Sequence, residues 1–75
     1  MPLFSLGERR VRLLGDHHYV AHDATLVGDI TLHNNVNVWF QVVTRAENDR
    51  IEIGEDCNIQ DASVLHVDPG FPMTL

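Results

Sequence analysis

The chain has 75 residues, with eleven acidic side chains against five arginines and no lysine, for a formal net charge of −6 at pH 7. A domain this short buries only about 60% of its unfolded surface, so association is expected to complete it, and an acidic surface excludes nucleic acid and anionic membranes as ligands. The opening "MPLFSLGERR" lacks the apolar run of a signal peptide, Cys57 has no second cysteine to pair with, and no stretch nears the roughly 18 apolar residues of a membrane span, so the expected setting is soluble, reducing and cytoplasmic.

Residues 1–13 follow no repeat and read as an N-terminal arm or first strand. From Leu14, "LLGDHHYV" opens a region of coils running to residue 75. Beginning at Val20, an aliphatic or near-aliphatic residue returns every six positions: Val20, Leu26, Leu32, Val38, Thr44, then Ile53, Ile59 and Leu65. The step from Thr44 to Ile53 is nine, which places three inserted residues within "AENDR", and "DPGFPMT" adds four more before Leu75. Two positions before the members of this series stand Ala24, Ile30, Val36, Val42, Ile51, Cys57 and Ser63, so each pair reads as a short strand of period two with one side inward. The pairs "HD", "GD", "NN" and "ED" fall between strands at a constant phase, and Gly, Asn and Asp tolerate the backbone angles of tight corners.

Three hexapeptides make one coil of 18 residues, and stacked coils make an all-β, left-handed parallel β-helix, of which about three coils are present and further ones are expected. The handedness departs from the general rule for parallel crossovers. A small antiparallel sandwich is the competing fold, but it has no reason to hold a six-residue phase over eight strands. On a three-sided coil the side built on Leu26, Thr44 and Leu65 points Val27, Val43, Arg45, Val64 and His66 outward, and three valines in five positions call for a covering partner. The side built on Leu32 and Ile53 shows Thr31, His33, Glu52 and Gly54 to solvent. The third side shows Asn37, Trp39, Asn58 and Gln60, with Trp39 its only large apolar group. One apolar outer side on a three-sided prism points to a closed threefold, a homotrimer.

Arg45 and His66 stand 21 positions apart, which is one coil plus the insertion, so a guanidinium lies on the rung next to an imidazole. Two cations side by side repel, an arrangement that favours a neutral imidazole, the form that binds metals. Gln60 points out from the preceding strand and Asp61 stands at the turn before His66. One histidine does not make a zinc site, which takes three or four ligands. The alternative is a hydrogen-bonded surface or interface histidine. Cys57, on an inward position, reads as a small buried hydrophobe. Asp49, Glu52, Glu55 and Asp56 read as a solvated rim, and no glycine-rich nucleotide loop is present.

The segment "VWFQVVTRAENDRIEIGEDCNIQDASVLHVDPGFP" resembles the γ-class carbonic anhydrase family, bacterial hexapeptide-repeat proteins that include carnitine-operon and phenylacetate-operon homologues, over roughly residues 14–75. The resemblance implies a left-handed β-helix, a homotrimer, and a zinc (or iron or cobalt) ion held between subunits by three histidines. His66 matches the first of those ligands. Gln60 matches the glutamine that orients the metal-bound hydroxide and CO2, and Arg45 and Asp61 match the arginine and aspartate of interface ion pairs around the site. Where the family carries Arg, Gly, Asp, this chain has Arg45, Ala46 and Glu47. The family's second and third histidines lie one to two coils further on, in a "GH…LHG" stretch; His17, His18, His22 and His33 match neither. The resemblance therefore implies hydration of CO2 to bicarbonate with a site incomplete in these 75 residues, which are expected to be a piece of a longer protein or a member without a site. Two alternatives stand beside it: a hexapeptide-repeat, coenzyme A-dependent acyltransferase, against which the "NIQD" neighbourhood speaks, and a non-catalytic trimeric scaffold.

Overall fold

The computed structural model describes residues 3–75; Met1 and Pro2, at the start of the arm read over 1–13, lie outside the described residues. The described residues form nine strands: β1 (Leu3–Phe4), β2 (Val11–Leu13), β3 (Tyr19–Val20), β4 (Thr25–Leu32), β5 (Asn37–Val38), β6 (Val43–Ile53), β7 (Asn58–Ile59), β8 (Val64–His66) and β9 (Met73–Thr74). There is no helix among them, and every strand pairing is parallel. One sheet runs β1-β4-β6-β8, with β2 also on β4 and β9 also on β6, while β3-β5-β7 form a second sheet. Strands β4 and β6 are long because each passes round a corner and supplies two sides of its rung. The result is a three-sided β-solenoid of about three turns, the left-handed β-helix read from the six-residue period.

The inward series fills the interior. Leu26, Ile30, Leu32, Val36, Val38, Val42, Thr44, Ile51 and Ile53 are fully buried, and they stack in columns such as Leu26–Thr44–Leu65 and Ile30–Ile51–Met73. Ala21, Ala46 and Val67 are buried as well, although none belongs to the six-residue series. Leu65 is only partly buried in the last described rung. A column of aliphatic side chains at the rung spacing of about 4.8 Å removes apolar area from water along the whole axis, which is what holds a coil with so few residues per side.

The corners fall where the polar pairs stand. His17, Asn35 and Asp56 occupy one column with φ of 65°, 59° and 63°, and Gln41 and Ala62 occupy the next with 59° and 62°. Asn and Asp accept this left-handed backbone more readily than most residues. Asn35 Nδ2 also donates to Asp56 Oδ1 at 2.8 Å, and the Asp16 amide donates to Asn34 Oδ1 at 2.8 Å, so the corners are tied to one another along the axis.

The third corner carries the insertions. Register runs Leu26↔Thr44 and Gly28↔Ala46 at 18 positions, then shifts to Ile30↔Ile51 at 21. The three added residues do not interrupt β6, as a loop would. They form a bulge within one continuous strand, because the backbone regains its pairing with β4 on the far side. The later insertion is a true turn: the Phe71 amide donates to the Asp68 carbonyl at 3.0 Å, and Gly70, after Pro69, has φ of 82°. Residues 3–13 contribute β1 and β2 to the first rung, joined by a turn in which Leu6 and Arg9 exchange both backbone hydrogen bonds. Tyr19 stands beside Trp39 on the third side, with ring centroids 4.9 Å apart, so Trp39 is not the only large apolar group there.

Candidate metal-binding face

Strands β1, β4, β6 and β8 form the side expected to be covered. Its pairing registers Thr25↔Val43↔Val64 and Phe4↔Val27↔Arg45↔His66 along two outward columns. Phe4, 53% exposed, and Val64, 66% exposed, extend the apolar area that Val27 and Val43 begin. Phe4 could not be placed by the repeat, because the pairing Leu3↔Leu26 spans 23 positions, a step set by the turn between β1 and β2 rather than by the hexapeptide.

Charged groups sit at one end of this apolar side. The register places Arg45 beside His66, as the count of 21 positions requires. Glu47, two residues after Arg45 on the same outward parity of β6, turns its carboxylate between them. Its Oε1 lies 3.6 Å from Arg45 Nη1 and 3.6 Å from His66 Nε2. The expected direct juxtaposition of guanidinium and imidazole is therefore mediated by an acid, and the three groups make a cation–anion–imidazole cluster open to solvent. The parity of Arg45 and Glu47 on one strand was the available signal; the bulge that follows obscured it.

Gln60 and Asp61 lie exposed at the corner between β7 and β8, the turn that leads the chain into His66. That turn is held by the Ser63 amide on the Gln60 carbonyl at 3.3 Å and the Ala62 amide on the Phe40 carbonyl at 2.9 Å. Neither side chain hydrogen-bonds within the described residues, so both are free to meet a ligand or a second chain.

His18, His22 and His33 are occupied elsewhere, and His17 stands at a corner with φ of 65°. A ring nitrogen of His18 donates to the His33 carbonyl at 3.1 Å, and His33 Nε2 lies 2.6 Å from Glu52 Oε2 on the solvent side. His22 stands edge-on to Phe40, at 6.1 Å between ring centroids. Among the described residues, no three His, Cys, Asp or Glu side chains converge as a metal cluster. What the chain offers a metal is one imidazole and one carboxylate on an open face. That donor set fits a nitrogen- and oxygen-liganded ion as part of a site, not as the whole of one.

No protein-family model matches the chain. It is 42% identical over 53 residues to a probable carbonic anhydrase of Methanocaldococcus jannaschii, covering 71% of this chain and 33% of that protein. It is 39% identical over 51 residues to the uncharacterized transferase YtoA of Bacillus subtilis, covering 68% of this chain and 30% of that protein. A mitochondrial gamma carbonic anhydrase of Arabidopsis thaliana is 33% identical over 49 residues, 65% of this chain and 18% of that protein. The chain thus spans about a third of the length of the first of these relatives. On its stacked hexapeptide coils, the chain is thus similar to proteins named carbonic anhydrase, gamma carbonic anhydrases among them.

Proposed function

We propose that the protein hydrates CO2 to bicarbonate at a zinc, iron or cobalt centre, in a homotrimer whose subunits meet on the outer side of β4, β6 and β8. The observation that carries the reading is His66 set against Glu47 and Arg45 at the end of a face otherwise made of Phe4, Val27, Val43 and Val64. A lone imidazole beside apolar surface has a purpose if a neighbouring subunit brings further ligands to it. Relatives named carbonic anhydrase support the same chemistry.

In this reading His66 holds the ion through a ring nitrogen, and the other ligands come from polypeptide outside these 75 residues. A metal so bound acidifies a coordinated water enough to supply hydroxide at neutral pH. Gln60 orients the reacting water and CO2 through its amide, which has no competing partner among the described residues. Glu47, with its carboxylate 3.6 Å from both His66 Nε2 and Arg45 Nη1, biases the ring's direction by charge, in the place that outer carboxylates take beside metal-bound histidines. Asp61 and Arg45 are the groups through which subunits pair around the site. Hydration adds the water oxygen to the carbon of CO2 and releases one proton to solvent.

Zinc content and CO2 hydration measured on the purified protein test the reading; a protein with neither activity nor metal overturns it. A second reading rests on the likeness to a protein named a transferase. It makes the chain part of a coenzyme A-dependent acyltransferase, and turnover of acetyl-coenzyme A without CO2 hydration would favour it. A trimer with neither activity would be a scaffold.

A further inference from the structure

We infer that Arg9 is a positioning residue for the Arg45–Glu47–His66 cluster, acting on Glu47 through its backbone carbonyl. The inference rests on the site reading above. Arg9 belongs to the turn Leu6–Gly7–Glu8–Arg9, closed by the Leu6 amide on the Arg9 carbonyl at 2.8 Å and the Arg9 amide on the Leu6 carbonyl at 3.0 Å. Gly7, with φ of 61°, takes the first central position of that turn, where a residue with a Cβ is strained. The turn is therefore a fixed mount. From it Arg9 Nη1 donates to the Glu47 carbonyl at 2.7 Å, a charge-assisted hydrogen bond between residues 38 positions apart.

The rung between them explains how so distant a contact is made. First and third rungs are separated by two spacings, about 9.6 Å. At the same corner the middle rung turns at Gly28, which has no side chain to stand in the way, and Asp29, which is held to one side by Arg12 at 2.6 Å. The first rung bulges outward as the Leu6–Arg9 turn and the third as residues 47–50, so the two protrusions meet across a recessed middle rung. The far side of the third-rung bulge is held too: the Gly70 amide donates to Asp49 Oδ2 at 3.0 Å, and Asn48 Nδ2 to the Val67 carbonyl at 3.5 Å. Arg9 is the tie on the side nearest Glu47. A bulge residue has no regular ladder partner to set its peptide plane; with its carbonyl pinned by Arg9, the Glu47 side chain leaves the backbone in the direction that puts Oε1 between Arg45 and His66.

The test reads local geometry in metal-free protein by NMR, so a protein that proves to have no CO2 hydration would leave this inference standing, and the reverse. The signals are the Glu47 carbonyl carbon and the His66 Nε2, with the amides of Val38 and Ile59 on another side of the prism as controls. Arg9→Met, which keeps the aliphatic stem and removes the donor, is expected to move both site signals and leave the controls in place. Arg9→Lys, which restores a cationic donor, is expected to recover at least half of the Glu47 displacement. Should Arg9→Met not fold, Arg9→Gln, whose donor is too short to reach, reads the same signals. A His66 signal unmoved by loss of the donor overturns the inference, and so does a shift shared equally by Val38 and Ile59, which would make the turn a general clamp on the fold.

Discussion

His66 Nε2 lies 3.6 Å from Glu47 Oε1, although the two residues belong to successive rungs and Glu47 belongs to a bulge. The contact joins an imidazole and a carboxylate that are each 37% exposed, and the carboxylate also meets Arg45 at 3.6 Å. Water screens such pairs, and the separation is longer than a hydrogen bond, so their weight in folding is small. Their use is directional.

Glu47→Gln is accordingly expected to change folding stability by less than about 1 kcal/mol. In the complete protein it is expected to weaken zinc affinity roughly tenfold, the lower range for losing a carboxylate that supports a ligating histidine. Chemical denaturation and a zinc titration on the same preparation separate the two. Unchanged zinc affinity would remove Glu47 from the site.

At the corner of the middle rung, Gly28 has φ of 95°, and a Cβ built there would meet the carbonyl of Ala46 on the rung above. Both the backbone angle and the contact oppose any side chain. Gly28→Ala is expected to destabilise the fold by about 1–3 kcal/mol for the backbone alone, and more because the collision is with main chain rather than a flexible side chain. It would also disturb the recess across which Arg9 reaches. A thermal midpoint equal to the parent's would mean that the corner relaxes freely.

Inside the prism, Thr44 is fully buried between Leu26 and Leu65, and its Oγ1 has no hydrogen-bond partner. An unpaired buried hydroxyl costs about 1–3 kcal/mol. Thr44→Val keeps the shape and removes the hydroxyl, and is expected to raise stability by about 1 kcal/mol. A lower denaturation midpoint would show that the hydroxyl has found a partner.

Thr44 also shows what the sequence could and could not reveal. Its place in the six-residue series was enough to put it inside, with Leu32, Val38 and Ile53, because period and parity act on every rung alike. The counting fails where residues are added. An insertion can leave as a loop or stay within the strand as a bulge, and only the regained pairing at Ile30↔Ile51 shows that it stayed. For the same reason Phe4 could not be placed on the apolar side, nor Glu47 between Arg45 and His66. His66 and Arg45 were legible as a column since both lie on regular strand. Gln60 and Asp61 were legible as corner residues, but a corner fixes the backbone and leaves the aim of their side chains open.

Ligation and orientation make different demands, so variants of the two residues should separate. His66→Ala in the complete protein is expected to lose zinc and hydration together, because three protein ligands are the usual requirement of a catalytic zinc and one has gone. Gln60→Ala is expected to keep zinc at parent stoichiometry and to lower turnover, since an amide that orients the reactants contributes to the rate and not to ligation. Metal analysis beside stopped-flow CO2 hydration reads both. Full zinc in His66→Ala would end the ligand assignment; loss of zinc in Gln60→Ala would make Gln60 something other than an orienting group.

Val64 offers a test of the assembly that does not depend on metal. It is 66% exposed and stands in the outward column Thr25–Val43–Val64. In a single chain, Val64→Glu places a carboxylate in water, where it costs the fold almost nothing. In the proposed trimer the same carboxylate would be enclosed against Val43 and a neighbouring subunit, with the diagonal Arg45 already facing Glu47, and a charge taken out of water without a partner of its own is strongly unfavourable. The variant is therefore expected to sediment as a smaller species than its parent while keeping the all-strand circular dichroism spectrum of the parent. Dissociation without unfolding identifies the β4–β6–β8 side as the interface; a variant that still sediments as a trimer places the interface elsewhere on the prism.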